Sequence, residues 1–123
     1  MIQVVATGHV SPPIAEPPHE RVAAFTSLFV AQSGTVVCGF QLGSAKHAVD
    51  CTLRLCHLTD GHSTDGHSTD AGQTWSVLTP RFPTEIEGLP GSLAGAEIVE
   101  PTPGTWLLVS TWFARADPTR PLF

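Results

Sequence analysis

The 123-residue sequence has no tyrosine, one lysine (Lys46) and one methionine, and charged residues make up only 14 % of it. Its arginines are dispersed along the chain, and the net charge is −5. A chain without a Lys/Arg cluster has little with which to displace the counterions of a nucleic acid, so we expect no nucleic-acid partner. No apolar run reaches the roughly 18 residues that a membrane-spanning helix needs, and we expect no membrane partner either.

Typical helix-forming residues are also scarce, whereas the chain contains 11 glycines and 11 prolines. With 41 % apolar residues, it can nevertheless form a small domain with a hydrophobic core. This composition favours short strands joined by Gly/Pro turns. The first residues, MIQVVATGHVSPP, lack the basic region, long apolar stretch and cleavage site of a signal peptide, which slightly favours the cytoplasm.

The three cysteines, Cys38, Cys51 and Cys56, cannot all pair within one chain, and none belongs to a CxxC motif. We interpret them as small buried apolar residues in a reducing compartment. Cys51 and Cys56 lie five positions apart on a predicted strand, so they should point to opposite faces of the sheet.

The apolar segments predict an antiparallel meander of four strands, because each has strand length and is bounded by turn residues. Residues 1–22 form an irregular, proline-rich lead-in, and residues 23–79 contain the meander. The Pro/Gly-rich segment 80–95 is expected to be a linker, and a second unit begins at 96 and runs to 123. The four predicted strands cover residues 23–32, 35–42, 50–58 and 74–79.

The second unit repeats the layout of the first. Residues 96–113 contain an apolar strand, a turn that ends in Gly104-Thr105 and a second apolar strand, as residues 27–40 do around Gly34-Thr35. The spacing between the two Gly-Thr pairs is 70 residues, which indicates an internal repeat of a strand pair. A repeated meander of this kind is typical of propeller blades.

A specific motif, Ser-x-Asp-x-Gly-x-Thr-Trp, lies between the third and fourth predicted strands. An Asp in a tight turn accepts hydrogen bonds from backbone N–H groups ahead of it, and a Gly two residues later supplies a positive φ. The Trp then begins the next strand with a large apolar anchor. The five defined positions are Ser68, Asp70, Gly72, Thr74 and Trp75.

This motif resembles the Asp-box (BNR repeat) of the sialidase (neuraminidase) superfamily, over roughly residues 23–113. The resemblance implies an all-β fold of antiparallel four-stranded blades from a six-bladed propeller, with about one and a half blades present in this chain. Asp-boxes lie on the outer rim of such propellers, so Ser68–Trp75 is expected to be structural. The resemblance implies no cofactor and no metal.

The resemblance also implies a function, namely the N-terminal part of a retaining exo-α-sialidase-like glycoside hydrolase acting on terminal sialic acids or related acidic glycans. Sialidases use a Tyr nucleophile paired with a Glu, an Asp acid/base and three Arg that bind the substrate carboxylate. Carry-over suggests Asp50 as the acid/base and Arg21 as one carboxylate ligand. Because the chain has no Tyr, this fragment is expected to be inactive. The alternative is a non-catalytic BNR propeller that acts as a binding or assembly scaffold, and open blade edges would allow self-association.

Immediately before the motif, a five-residue unit Thr-Asp-Gly-His-Ser occurs twice, at 59–63 and 64–68. Two histidines and neighbouring aspartates could bind a metal ion such as Zn²⁺. Removal of ten residues would leave HLTDAGQTW, a strand that runs directly into the motif. We therefore favour duplication of a short unit in an exposed turn, where insertions have little effect on stability.

Overall fold

The computed structural model describes residues 10, 22–58, 74–79, 82–117 and 119. Every regular element in these residues is a β-strand, so the described part of the chain contains no helix, and therefore none long and apolar enough to cross a membrane. The strands are β1 (Val22–Val30), β2 (Val36–Gly43), β3 (Thr52–Leu58), β4 (Trp75–Thr79), β5 (Glu85–Ile86), β6 (Leu89–Thr102) and β7 (Thr105–Ala114). The all-β prediction is confirmed.

The first sheet contains the four strands in the order β1-β2-β3-β4, all antiparallel. This is the predicted meander, and the predicted strands agree with the observed ones to within two residues at each end. β2 is buried along nearly its whole length because both of its faces are covered. One face contributes a cluster of Cys38, Phe40, Leu42 and Cys56, against which Val10 and Trp75 pack.

The second sheet contains β5, β6 and β7 in that order, and it begins earlier than the sequence suggested. β6 starts at Leu89, so residues 89–95 belong to a strand, although segment 80–95 was interpreted as a linker. The missed signal is the two-residue turn Glu87-Gly88, in which both φ angles are positive (51° and 78°). Such a turn joins two antiparallel strands tightly, and here it pairs Glu85 with Pro90.

The predicted strand-pair repeat is confirmed residue by residue in the pairing registers. Ala24↔Gln41 recurs as Ala94↔Thr111, each member shifted by 70 positions. The same shift converts further pairs of β1 and β2 into pairs of β6 and β7, namely Ser27↔Gly39 into Glu97↔Val109, Leu28↔Cys38 into Ile98↔Leu108 and Phe29↔Val37 into Val99↔Leu107. The two hairpins therefore share one register.

The irregularities of the two hairpins also coincide. The β1–β2 register shifts between Ala24 and Ser27, and the β6–β7 register shifts between Ala94 and Glu97. Within these bulges Phe25 and Gly95, again 70 positions apart, have φ of 51° and 75°. Left-handed φ is easy for Gly but strained for an aromatic residue. The bulge is thus a property of the repeated unit, kept in the first copy even where it strains a Phe.

We name the two faces of the repeated hairpin by their residues. The front face of the first sheet carries Ser27, Phe29, Val37 and Gly39, which correspond to Glu97, Val99, Leu107 and Val109 on the second sheet. The back face of the first sheet carries Leu28, Val30, Val36 and Cys38, which correspond to Ile98, Glu100, Trp106 and Leu108.

The two sheets stack front to back. β6 lies across the front face of the first sheet and contacts β1, β2 and β3. At the closest point, a Cβ placed on Gly39 would lie 2.9 Å from the Cβ of Ala96. The Ser27 hydroxyl donates to the Ala96 carbonyl, and the Phe29 ring meets the Trp106 ring edge-on at 5.8 Å. The front of the first sheet is thereby covered by the back of the second.

A carboxylate joins the turns of the two hairpins. Glu100 accepts a hydrogen bond from the backbone N–H of Gln32 (2.6 Å), in the β1–β2 turn, and another from that of Gly104 (2.7 Å), in the β6–β7 turn. These two bonds, the Gln32 bond first, hold the pKa of Glu100 below its ordinary value of 4.5. The two hydrogen bonds therefore favour the ionised carboxylate.

We predict that Gly39→Val lowers the free energy of unfolding by about 1–3 kcal/mol, because the added side chain overlaps Ala96 and Leu55. Urea unfolding measures the loss. The double variant Gly39→Val/Ala96→Gly should recover part of it, since it returns space at the same contact. Equal losses in the single and double variants would contradict the assigned contact.

Glu100 should make part of the stability acid-sensitive. Since its pKa is lower in the folded chain than in the unfolded one, its contribution is complete above about pH 4.5 and is lost as the pH falls through the folded value. We expect Glu100→Gln to show a shallower decline of melting temperature between about pH 6 and 3 than the wild type. Glu97→Gln, which removes an exposed carboxylate from the same strand, is the matched control, and identical slopes in both variants would refute the assignment.

Candidate functional site

The loop between β2 and β3 contains Asp50, the acid/base candidate. Its segment 44–51 lies beside the start of β6 and the end of β7. The backbone N–H of Leu93 donates to the Cys51 carbonyl (3.0 Å), and the Arg115 guanidinium approaches the His47 carbonyl (3.4 Å). Carboxylate, amine, imidazole, thiol and guanidinium groups are thus gathered at one end of the stacked sheets.

Asp50 itself holds the loop together. Its Oδ1 accepts two hydrogen bonds from Ser44, one from the backbone N–H (3.1 Å) and one from the hydroxyl (3.0 Å). Asp side chains commonly close turns in this way. The side chain is exposed, so the loop leaves it open to solvent. In the described chain, Asp50 fixes the entry to β3, and this contact is what the structure assigns to it.

The sequence did not identify Arg115 as a buried residue of this region. It follows the last residue of β7 and is only 8 % exposed. Its Nε donates to the Ser92 hydroxyl (2.9 Å) and its Nη2 to the His47 carbonyl. Burial of an Arg requires such partners, because an unsatisfied guanidinium is costly. The guanidinium therefore ties β6 and β7 to the β2–β3 loop, across 68 residues of sequence.

A cation and two rings lie at the mouth of this loop. The Lys46 ammonium lies 5.1 Å from the centroid of the Phe25 ring, within the range of a cation–π contact. The ring of His47, a residue with φ of 67°, is 5.4 Å from the same Phe25 ring. These contacts pack the Phe25 ring of the β1 bulge against Lys46 and His47 of the loop.

The Cys51 thiol is not prepared for nucleophilic chemistry. Burial raises its pKa, and the Asp50 carboxylate raises it further, against smaller opposing effects that include Arg115. A thiol with a raised pKa stays protonated near neutral pH, whereas the thiolate is the nucleophile. Beside it, Gln41 is 2 % exposed, and its Oε1 has no hydrogen-bond partner among the described residues.

The three cysteines lie in two different surroundings. All three are buried, and none of them forms a disulfide. Cys56 joins the cluster on the back face with Cys38, whereas Cys51 lies among the groups of the β2–β3 loop, and burial raises the pKa of Cys38 as well. The prediction of buried apolar residues is confirmed for this set.

Several sequence candidates lie outside the described residues, namely Arg21, Ser68, Asp70, Gly72 and the Thr-Asp-Gly-His-Ser repeat. Of the motif, Thr74 and Trp75 are described. Trp75 begins β4, pairs with Leu58 and packs against the cluster on the back face of the first sheet, as a strand-opening anchor would. Its other positions stay predictions.

The two tryptophans of β7, Trp106 and Trp112, both serve packing. Trp106 meets Phe29 across the sheets, and the Trp112 indole N–H donates to the Thr84 carbonyl (2.8 Å). Gly91 leaves room for this indole, since a Cβ there would overlap Nε1 of Trp112.

Over the described ranges, no group of three or more His, Cys, Asp or Glu side chains is placed to hold a metal ion. Comparison of the chain with known protein families, with curated proteins and with solved structures finds no match in any of the three. The role of the β2–β3 loop is therefore argued from its contacts alone. These contacts, the Leu93–Cys51 and Arg115–His47 hydrogen bonds, connect the loop of the first sheet to the second sheet.

Asp50→Ala should lower the free energy of unfolding by about 1 kcal/mol, because both Ser44 hydrogen bonds lose their acceptor. Asp50→Asn keeps an acceptor oxygen of the same shape and should retain most of that stability. Chemical unfolding of the three proteins provides the comparison. If Asn and Ala reduced stability equally, the negative charge and not the turn contact would be responsible.

Proposed function

We propose that this chain is a pair of blade-type units from an Asp-box propeller of the sialidase type, and that it acts as a non-catalytic assembly or binding module. The observation that carries the proposal is the repeat of one bulged hairpin at a spacing of 70 residues, stacked front to back. Propellers are built from repeated antiparallel meanders packed face to face. In an isolated two-layer sandwich, the two sheets need not have the same strand register or the same bulge, whereas repeated blades do.

The Asp-box-like sequence supports the same proposal. Ser68–Trp75 lies between β3 and β4, which is the position of the motif in sialidase-type blades. Trp75 begins the outer strand of the first sheet and anchors it on the core. Both roles are structural and need no catalytic residue.

The chemistry of the loop end supports a non-catalytic role. The chain has no tyrosine, so it cannot supply the nucleophile of a retaining sialidase. Oδ1 of Asp50 is engaged by Ser44, and Arg115 is buried against Ser92 and His47. A carboxylate clamp must instead direct its guanidinium N–H groups at the ligand.

The second candidate is the N-terminal part of an exo-α-sialidase-like hydrolase that acts on terminal sialic acids or related acidic glycans. One observation favours it, namely that Asp50 and Lys46 belong to the loop whose His47 carbonyl accepts a hydrogen bond from Arg115. In that role, Asp50 would act as the acid/base once further blades supplied a Tyr and more Arg.

Two measurements on the whole chain separate the candidates. We expect no hydrolysis of a fluorogenic sialoside, and no shift of the backbone amide signals of residues 44–50 and 115 on NMR titration with sialic acid. Saturable shifts confined to those residues, absent in Asp50→Ala and Lys46→Ala, would favour the hydrolase part. Turnover that Asp50→Ala abolishes would overturn the module proposal.

A further inference from the structure

Two apolar surfaces remain open after the two sheets stack, namely the front of the second sheet and the β1 edge of the back of the first. On the back of the first sheet, Leu28 and Val30 are 68 % and 61 % exposed. On the front of the second sheet, Val99, Leu107 and Val109 are 50 %, 52 % and 59 % exposed. Contiguous exposed apolar side chains on a sheet face mark an interaction surface more often than isolated ones do.

Each open face is the repeat equivalent of a face that is covered inside the chain. The front of the second sheet corresponds to the front of the first, which receives β6. The back of the first sheet corresponds to the back of the second, and it is the back of the second sheet that packs, through β6, on the first sheet. By the same shift of 70, β1 is the equivalent of β6, and β1 carries Leu28 and Val30.

Val10 and Trp75 do not occupy that strand. They pack on the cluster formed by β2 and β3, whereas Leu28 and Val30 lie on the edge strand β1 and remain exposed. Inside the chain, likewise, β6 is the strand of the second sheet that crosses the first sheet. β1, the equivalent of β6, is therefore the strand that would dock, and its back-face residues Leu28 and Val30 are exposed.

We propose that a second copy of this chain docks head to tail, with the back of its first sheet (Leu28, Val30) on the front of the second sheet (Val99, Leu107, Val109). The existing contact between the sheets is the template for this interface. Because the two surfaces differ, the interface is heterologous, so copies add until a ring closes or a filament grows. This inference rests on the module role proposed above and names its partner.

The new interface differs from its template in two ways. Val109 occupies the position of Gly39, so the sheets cannot approach as closely as they do at Ala96. Val30 occupies the position of Glu100, so the carboxylate that joins the two turns has no counterpart. Association should then depend on apolar burial and be weakly sensitive to salt.

The test is molar mass by light scattering and sedimentation equilibrium over a range of protein concentrations. The wild-type chain should exceed the monomer mass as concentration rises. Leu28→Lys and Val109→Lys each destroy one face, so each variant alone should be monomeric. An equimolar mixture should form a dimer and nothing larger, because each variant contributes the face that the other lacks.

A second pair, Val30→Lys and Leu107→Lys, repeats the design at other positions, and thermal melts identify any variant that does not fold. Ile86→Lys alters an exposed apolar residue of the β5–β6 hairpin, outside both faces, and should associate as the wild type does. A wild-type chain that stays monomeric throughout overturns the proposal, as does a Leu28→Lys variant that still dimerises by itself. Neither of these results affects the sialoside hydrolysis and NMR measurements, which test the proposed module role independently.

Discussion

The close contact between Gly39 and Ala96 is the constraint on which the arrangement of the two sheets depends. A strand that lies across a sheet can approach closely only where side chains are small, and here a hydrogen on Gly39 faces a methyl group on Ala96. Around this point the Ser27 hydroxyl, the Phe29–Trp106 ring contact and the Glu100 carboxylate find their partners. Ala96 and Glu100 both belong to β6, and this strand contacts three strands of the first sheet as well as β7, so β7 is held to the first sheet mainly through it.

The repeated hairpin explains features that look arbitrary in either copy alone. A Phe with positive φ is unusual, but Phe25 occupies the bulge position that Gly95 occupies in the second copy. The strain is compatible with the fold because the ring packs against His47 and Lys46. Gly34 and Gly104 close the two turns with similar φ of 87° and 77°, so duplication preserved the backbone more strictly than the side chains.

At the β2–β3 loop, residue types that suggest catalysis serve as structural connections. Asp50 was predictable as the loop's carboxylate, since it precedes the apolar strand β3 and lies among small residues. Arg115 was not predictable, because nothing in the letters FARAD at the end of a strand distinguishes a buried guanidinium from a solvated one. Its partners, Ser92 and His47, are 23 and 68 residues away in sequence, and only the stacked sheets bring them together.

By itself, the sequence determined the features that short-range chemistry encodes, namely the strands of the meander, the Gly-Thr turns, the repeat at 70 residues and the burial of the cysteines. It missed the start of β6, where a Glu-Gly turn and two nearby prolines resembled a linker. Only the tertiary structure decided which face covers which, that Glu100 joins two turns, and that the front of the second sheet and the β1 edge of the first remain open. The physical reason is that alternation and turn propensity act over a few residues, whereas coverage of a face depends on contacts between residues some 70 positions apart.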